Sequence, residues 1–128
     1  MRKLALLSLV VVAACAAPGG AQPGAAGQND TLARIRTLIG TSACTEDSQC
    51  HSLAVGERPC GGPESYLAYS TARAPDAELQ ALGAIYRAER RKLNAEAGRV
   101  SDCRFMPDPG ALCRAGACVL GASGVVAR

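Results

Sequence analysis

The stretch that decides how this chain folds is PDAELQALGAIYRAERRKLNAEAG, residues 75–98. Its first two residues, Pro75 and Asp76, are typical of a helix start, and Gly98 is typical of a helix end. Large apolar side chains recur between them at the spacing of one helical face, and they are Leu79, Leu82, Ile85, Tyr86 and Leu93. The sequence therefore predicts one helix of about 22 residues, roughly 33 Å long, which would cross the whole domain.

Six cysteines flank this helix, three before it and three after it: Cys44, Cys50, Cys60, Cys103, Cys113 and Cys118. No Cys-x2-Cys pair occurs and His51 is the single histidine, which argues against a metal centre and against thioredoxin-like redox chemistry. In an exported chain, such cysteines form disulfides. We therefore expect three disulfides, no metal and no cofactor.

The spacing of the cysteines does not by itself choose their pairing. Geometry favours a bridge between the cysteines nearest to the two ends of the helix, which would close a loop of about 44 residues and stabilise the fold by roughly 4 kcal/mol. The remaining cysteines would then join neighbouring strands. The expected pairs are Cys60–Cys103, Cys50–Cys118 and Cys44–Cys113.

Short strands are predicted on both sides of the helix. Residues 49–55 and 65–70 alternate between apolar and polar side chains, and a third short strand is predicted at 117–120. The connection 56–64, GERPCGGPE, has three glycines and two prolines and is too long for a tight hairpin. A short amphipathic helix is predicted to begin near Asn29 and to end at Gly40. These elements predict a small, disulfide-stapled α+β domain over residues 29–121.

The first 14 residues have the pattern of an export signal: a basic start, an apolar run and two small residues. The apolar run is too short to cross a membrane, which takes roughly 20 residues. Val12-Ala13-Ala14-Cys15 resembles the lipobox of bacterial lipoprotein signals, in which the cysteine is acylated and becomes the mature N-terminus. We expect a lipid anchor on Cys15. Cleavage at an ordinary secretory site, releasing a free domain, is the alternative.

The anchor is followed by residues 15–28, which have glycine, proline and alanine but no charge or bulky apolar side chain, and which we interpret as a flexible tether. The last residues, 122–128, are predicted to be a disordered tail. Because Ala16 rather than an aspartate follows Cys15, the resemblance to lipoproteins of enteric-type bacteria implies the periplasmic leaflet of the outer membrane. A freely periplasmic or secreted protein is the alternative.

Composition argues against nucleic acid as a partner. The formal net charge is +3, and removing Arg2 and Lys3 of the leader leaves 12 basic and 11 acidic side chains. The chain has no Trp, one Phe (Phe105) and three Tyr, so a base-stacking platform is not expected.

The cysteine frame and its neighbours resemble a group of small exported bacterial proteins with six cysteines and no assigned activity. The resemblance covers roughly residues 41–120 and rests on Cys44-x5-Cys50, the loop Pro59-Cys60-Gly61-Gly62-Pro63, Tyr69-Ser70, Ser101-Asp102-Cys103 and Cys113-x4-Cys118. It implies a shared fold and export. It carries over no catalytic or ligand-binding residues.

We interpret the loop before the second strand as a rigid recognition element, because a loop held by a disulfide loses little entropy on binding. The residues proposed to bind are Glu57, Arg58, Glu64, Tyr66 and Tyr69. The alternative is that the loop only makes a turn and that the tyrosines belong to the core. The sequence thus predicts a lipid-anchored binding or inhibitory module of the cell envelope, with an envelope protein or glycan as partner.

Two other classes of function are alternatives to this one. A structural or assembly accessory of the envelope would bind through the basic face of the long helix, which has Arg87, Arg90 and Arg91. That face is also typical of a solvated surface with internal ion pairs. Catalysis is not expected, because His51 is the one residue that titrates near neutrality and no nucleophile motif accompanies it.

Overall fold

The computed structural model describes the backbone of residues 23–122 and the side chains of residues 30–122. The predicted leader 1–14, the anchor Cys15, the first part of the tether and all but the first residue of the tail lie outside the described residues. The elements in chain order are α1 (Pro23–Ile39), a 3₁₀ turn (Asp47–Gln49), β1 (Cys50–Val55), β2 (Ser65–Ser70), α2 (Asp76–Glu96), β3 (Ala111–Arg114) and β4 (Ala117–Leu120). The α+β class is confirmed.

The long helix and three strands lie where the sequence placed them. Helix α2 follows Pro75, and the chain turns out of it at Gly98, where φ is +56°. Strands β1 and β2 form an antiparallel pair whose register runs from Cys50 opposite Ser70 to Val55 opposite Ser65. Strand β4 is also present as predicted.

Two differences from the prediction have physical reasons. Helix α1 begins at Pro23, earlier than the predicted start near Asn29, and so includes part of the range 15–28 that was interpreted as a tether. Proline is favourable in the first turn of a helix, and the alanines after it have high helix propensity. Strand β3 was not predicted, because its four residues, Ala111–Arg114, do not alternate in polarity.

The β1–β2 sheet separates two clusters of buried side chains. On one side, Leu53, Val55 and Tyr69 pack against the two helices in the main core. The helices contribute Ile35, Ile39, Leu79, Leu82 and Tyr86. Helix α2 approaches β1 closely at Gly83, where an added Cβ would lie 3.3 Å from the Leu53 side chain.

The second cluster consists largely of half-cystines and lies against the β3–β4 hairpin. Its buried members are Cys44, Cys50 and Cys118, with Ala68, Ala111 and Cys113 packed around them. Two disulfides, Cys44–Cys113 and Cys50–Cys118, join this hairpin to the segment before β1 and to β1 itself. The third, Cys60–Cys103, joins the 56–64 loop to the segment after α2. The three pairs are those expected from the sequence.

Candidate recognition site

The two surfaces that the sequence offered as alternatives form one surface in the structure. Glu57 in the 56–64 loop lies 3.3 Å from Arg91 and 3.8 Å from Arg87, both on α2. Its side chain is only 13% exposed. Asn94 of the same helix donates a hydrogen bond to the backbone carbonyl of Glu57. The loop and the basic helix face are therefore joined by ion pairs, while Arg87 and Arg91 remain 44% and 67% exposed.

Glu64 makes the closest ion pair of this surface. Both Nε and Nη2 of Arg90 donate to its Oε1 atom, at 2.9 and 2.6 Å. The hydrogen bonds that Arg90 donates to Glu64 raise the pKa of Arg90. The chain can bring Glu64 here because Gly56, with φ of +78°, has no Cβ; a Cβ at that position would overlap the Glu64 side chain. Glu64 thus holds the loop to the helix.

Arg58 and Tyr66, two of the predicted recognition residues, bind the backbone of the segment that follows α2. Arg58 Nη1 donates to the carbonyl of Arg104 at 2.6 Å, and its Nη2 lies 3.6 Å from Asp102. The Tyr66 hydroxyl donates to the carbonyl of Met106 at 3.2 Å. Both side chains are partly buried in these contacts. Their polar groups support a neighbouring segment instead of facing solvent.

Tyr69 belongs to the core, so the prediction that it takes part in recognition is wrong. Its side chain is 1% exposed, because its place in the β1–β2 register faces the helices. Its hydroxyl donates a hydrogen bond to Asp76 and accepts one from Gln80. Burial, with a smaller contribution from Asp76, raises the pKa of Tyr69 to about 12. The same hydrogen bond lowers the pKa of Asp76.

The residue held between these supports is Phe105. We call residues 99–109 the Phe105 loop. Phe105 itself is 82% exposed, although phenylalanine is normally buried. The carbonyls of its two neighbours, Arg104 and Met106, are the ones that Arg58 and Tyr66 bind. Among the described residues, neither the N–H nor the carbonyl of Phe105 has a hydrogen-bond partner.

Further contacts anchor both ends of the Phe105 loop. Cys103, two residues before Phe105, has φ of +52° and is bonded to Cys60. On the other side, Asp108 accepts hydrogen bonds from the Ser52 hydroxyl at 2.5 Å and from the Gly110 amide at 2.8 Å. A second exposed apolar residue, Val100, lies at the start of the loop and is 94% exposed. The loop has no helix or strand but is held at several points.

Sequence reasoning did not identify Phe105 as a binding residue. One signal was available: the single phenylalanine of the chain stands two residues after a half-cystine, between charged Arg104 and the helix-breaking Pro107. An apolar residue in such a polar, irregular segment has no periodic pattern that would bury it. The contacts that Arg58 and Tyr66 make with the Phe105 loop could not be predicted from the sequence, because both residues are far from Phe105 along the chain.

The remaining candidates for chemistry are arranged differently. His51 is an exposed residue of β1, and its ring centroid lies 5.8 Å from that of Tyr69. The neighbouring Ser52 donates its hydroxyl hydrogen bond to Asp108 rather than to His51. The sulfur atoms of Cys44, Cys50 and Cys113 lie within 4.8 Å of one another, but each is bonded in a disulfide.

Comparisons with protein-family models, with curated proteins and with solved structures gave no match. Within residues 23–122, neither helix combines the length and the apolar character that a membrane span requires.

Proposed function

We propose that this protein is an exported binding module that recognises a protein of the cell envelope through the Phe105 loop. A single observation carries the proposal: Phe105 is 82% exposed, while the carbonyls on either side of it are held by Arg58 and Tyr66. Exposing a phenylalanine forgoes about 1.5–3 kcal/mol of burial. Because the backbone on both sides of Phe105 is already fixed, little conformational entropy is lost when a partner buries this side chain. An exposed aromatic residue of this kind is a typical anchor of a binding interface.

Export and anchoring are part of the same proposal. Three disulfides in a domain of this size fit an oxidising compartment. The leader 1–14 would direct the chain out of the cytoplasm, and acylation of Cys15 would hold it on the periplasmic leaflet of the outer membrane. Several acyl chains give stable anchorage, whereas one gives only marginal binding. The module would then act close to the membrane, with a free periplasmic domain as the alternative.

The alternative role, a structural accessory that binds through the arginines of α2, has less support. Glu57 and Glu64 form ion pairs with Arg87, Arg90 and Arg91 and so offset two of the three positive charges. Arg87 and Arg91 stay 44% and 67% exposed, but little net charge is left for a partner to bind.

Photo-crosslinking in the native envelope tests the proposed recognition surface. A photoreactive side chain at position 105 should give a discrete crosslinked protein band, whereas one at Val119 should not. Val119 is the matched control because it is also an exposed apolar residue, 42% exposed, but lies on β4. The Phe105→Ser variant should lose the partner in co-purification, and Val119→Ser should retain it. Equal crosslinking from both positions, or none from 105, would contradict the proposal.

A further inference from the structure

We infer that the partner is a serine endopeptidase with an apolar substrate pocket, and that the Phe105 loop occupies its substrate cleft as an inhibitor. This inference rests on the proposed function, because it names the class of protein that Phe105 binds. An apolar slot beside a set of oxyanion donors is the site in which such an enzyme holds the residue before the bond it attacks. The side chain and the backbone of Phe105 fit these two parts of the cleft.

The side chain supplies the first part of the match. Phe105 is exposed in a segment without helix or strand, and its loop is tied to the domain by Cys60–Cys103. An aromatic side chain offers a large apolar area with few rotatable bonds, so fixing it in a pocket has a small entropic cost. A polypeptide enters a peptidase cleft as an irregular or extended segment, which is the form of this loop.

The backbone supplies the second part. The N–H and the carbonyl of Phe105 have no partner among the described residues, so a partner must hydrogen-bond both when it buries them. A peptidase supplies partners for the carbonyl, since its oxyanion donors bind the carbonyl of the residue in its pocket. A lipid bilayer offers no such donors at the depth of its acyl chains, which makes membrane insertion of Phe105 the weaker interpretation.

The supports explain why the loop would inhibit rather than be consumed. The bond between Phe105 and Met106 lies between the two carbonyls that Arg58 and Tyr66 hold. If the serine hydroxyl of the enzyme adds to the Phe105 carbonyl carbon, the C–N bond breaks and the amine of Met106 takes the proton from the catalytic histidine. Because Tyr66 and Asp108 still hold the new amino end, this amine remains beside the acyl-enzyme. Its return attack releases the serine and restores the peptide bond, favoured by the high effective concentration of a tethered group.

The sequence after the bond limits the contacts that the loop can make. Pro107 has no N–H, so the chain offers no backbone donor at that position. We therefore expect affinity to come from Phe105 and from the residues before it.

Inhibition assays with purified enzymes test the inference. The mature oxidised chain should inhibit chymotrypsin and subtilisin, which accept large apolar residues, and should leave trypsin active. Phe105→Arg should weaken inhibition of chymotrypsin by about 30-fold or more, the effect of removing a central aromatic anchor, and should create inhibition of trypsin. The control Val119→Arg should change neither. Because position 105 is exposed, these variants are expected to fold, and their thermal unfolding verifies it.

A second variant tests the supports separately from the side chain. Tyr66→Phe removes only the hydroxyl that holds the Met106 carbonyl. It should retain Phe105 in the pocket but speed cleavage of the 105–106 bond, as followed by mass spectrometry over time. Cleavage of the parent chain as fast as that of Tyr66→Phe would overturn the inhibitory mechanism.

The outcomes separate this inference from the proposed function. Inhibition that does not respond to Phe105→Arg, or no inhibition of either apolar-specific enzyme, overturns the inference. If crosslinking from position 105 then identifies an envelope protein that is not a peptidase, the proposed function stands without it. If position 105 captures no protein, and vesicles of phosphatidylethanolamine and phosphatidylglycerol bind the chain but not Phe105→Ser, both are overturned in favour of a lipid-binding loop.

Discussion

At the scale of single residues, the polar side chains of this domain serve mainly to position other parts of it. Arg58 and Tyr66 are of residue types that are common in binding sites. Each of them, however, donates a hydrogen bond to a backbone carbonyl of the Phe105 loop. Glu64 likewise holds its own loop through Arg90. Phe105, which these contacts surround, is apolar and exposed. A prediction from residue type alone therefore selected the side chains that position the Phe105 loop and did not include Phe105.

Tyr69 provides a pH-dependent test at this scale. Its pKa is raised to about 12 in the folded protein, above the value near 10 of an unfolded chain. The folded state therefore binds this proton more tightly, and its stabilising effect is complete below pH 10 and is lost as the pH rises from 10 towards 12. Tyr69→Phe should flatten this fall in unfolding free energy. A smaller fall should remain from Tyr86, whose pKa burial also raises.

Urea unfolding between pH 7 and pH 11 measures the effect. At pH 7, Tyr69→Phe should cost about 1 kcal/mol, because it removes the hydroxyl shared by Asp76 and Gln80. An unchanged pH profile for Tyr69→Phe would show that this tyrosine does not govern alkaline stability.

At the scale of elements, the predictions succeeded where a pattern repeats within one element. The apolar spacing of α2 and the alternation of β1 each reflect one face packed on one core, so the pattern is visible in the sequence, although Ile85 of the predicted helix face is 51% exposed. Strand β3 has no such pattern, because its position depends on Cys44–Cys113 and on pairing with β4. The start of α1 was missed because glycine, which has low helix propensity, occurs among the alanines after Pro23.

The hairpin between β3 and β4 makes a second test. Its two central residues, Ala115 and Gly116, both have positive φ, at +49° and +81°. This is the conformation of a type I′ turn, which favours asparagine before glycine. Ala115→Asn should therefore stabilise the domain by up to about 1 kcal/mol, and Ala115→Val should destabilise it by about 1–2 kcal/mol.

Chemical denaturation of the oxidised protein provides the measurement for this turn. Both variants should leave the three disulfides and the response to Phe105 substitutions unchanged, since the hairpin is separate from the Phe105 loop. If valine is tolerated as well as asparagine, the turn does not have the conformation described.

At the scale of the whole molecule, the three disulfides each join one cysteine before α2 to one after it, and they stabilise two different parts of the domain. Cys44–Cys113 and Cys50–Cys118 lie in the half-cystine cluster and hold the hairpin to the sheet. Cys60–Cys103 lies at the surface and holds the Phe105 loop. The long helix between the two groups favoured bridges from one group to the other, but the sequence alone did not fix which cysteines pair. The site could not be inferred from the sequence, because its parts come from three distant segments that meet only after folding.

This division predicts a stepwise response to reduction. The half-cystines Cys60 and Cys103 are exposed, whereas Cys44, Cys50 and Cys118 are buried, and thiol–disulfide exchange requires access of the attacking thiolate to sulfur. A mild thiol reductant should therefore open Cys60–Cys103 first. Peptide mapping after alkylation should find label on these two cysteines before any on the others.

Opening Cys60–Cys103 should affect the Phe105 loop without unfolding the domain. With Cys60–Cys103 open, the Phe105 loop loses its tether on the helix side, so capture of the partner should fall, while far-ultraviolet circular dichroism should stay unchanged because the core keeps its other two disulfides. The double variant Cys60→Ser/Cys103→Ser should behave in the same way and should lose about 4 kcal/mol of stability or less. Labelling of all six cysteines at one rate would mean that the domain opens as a unit. The Phe105 loop would then have no disulfide that opens independently of the rest of the domain.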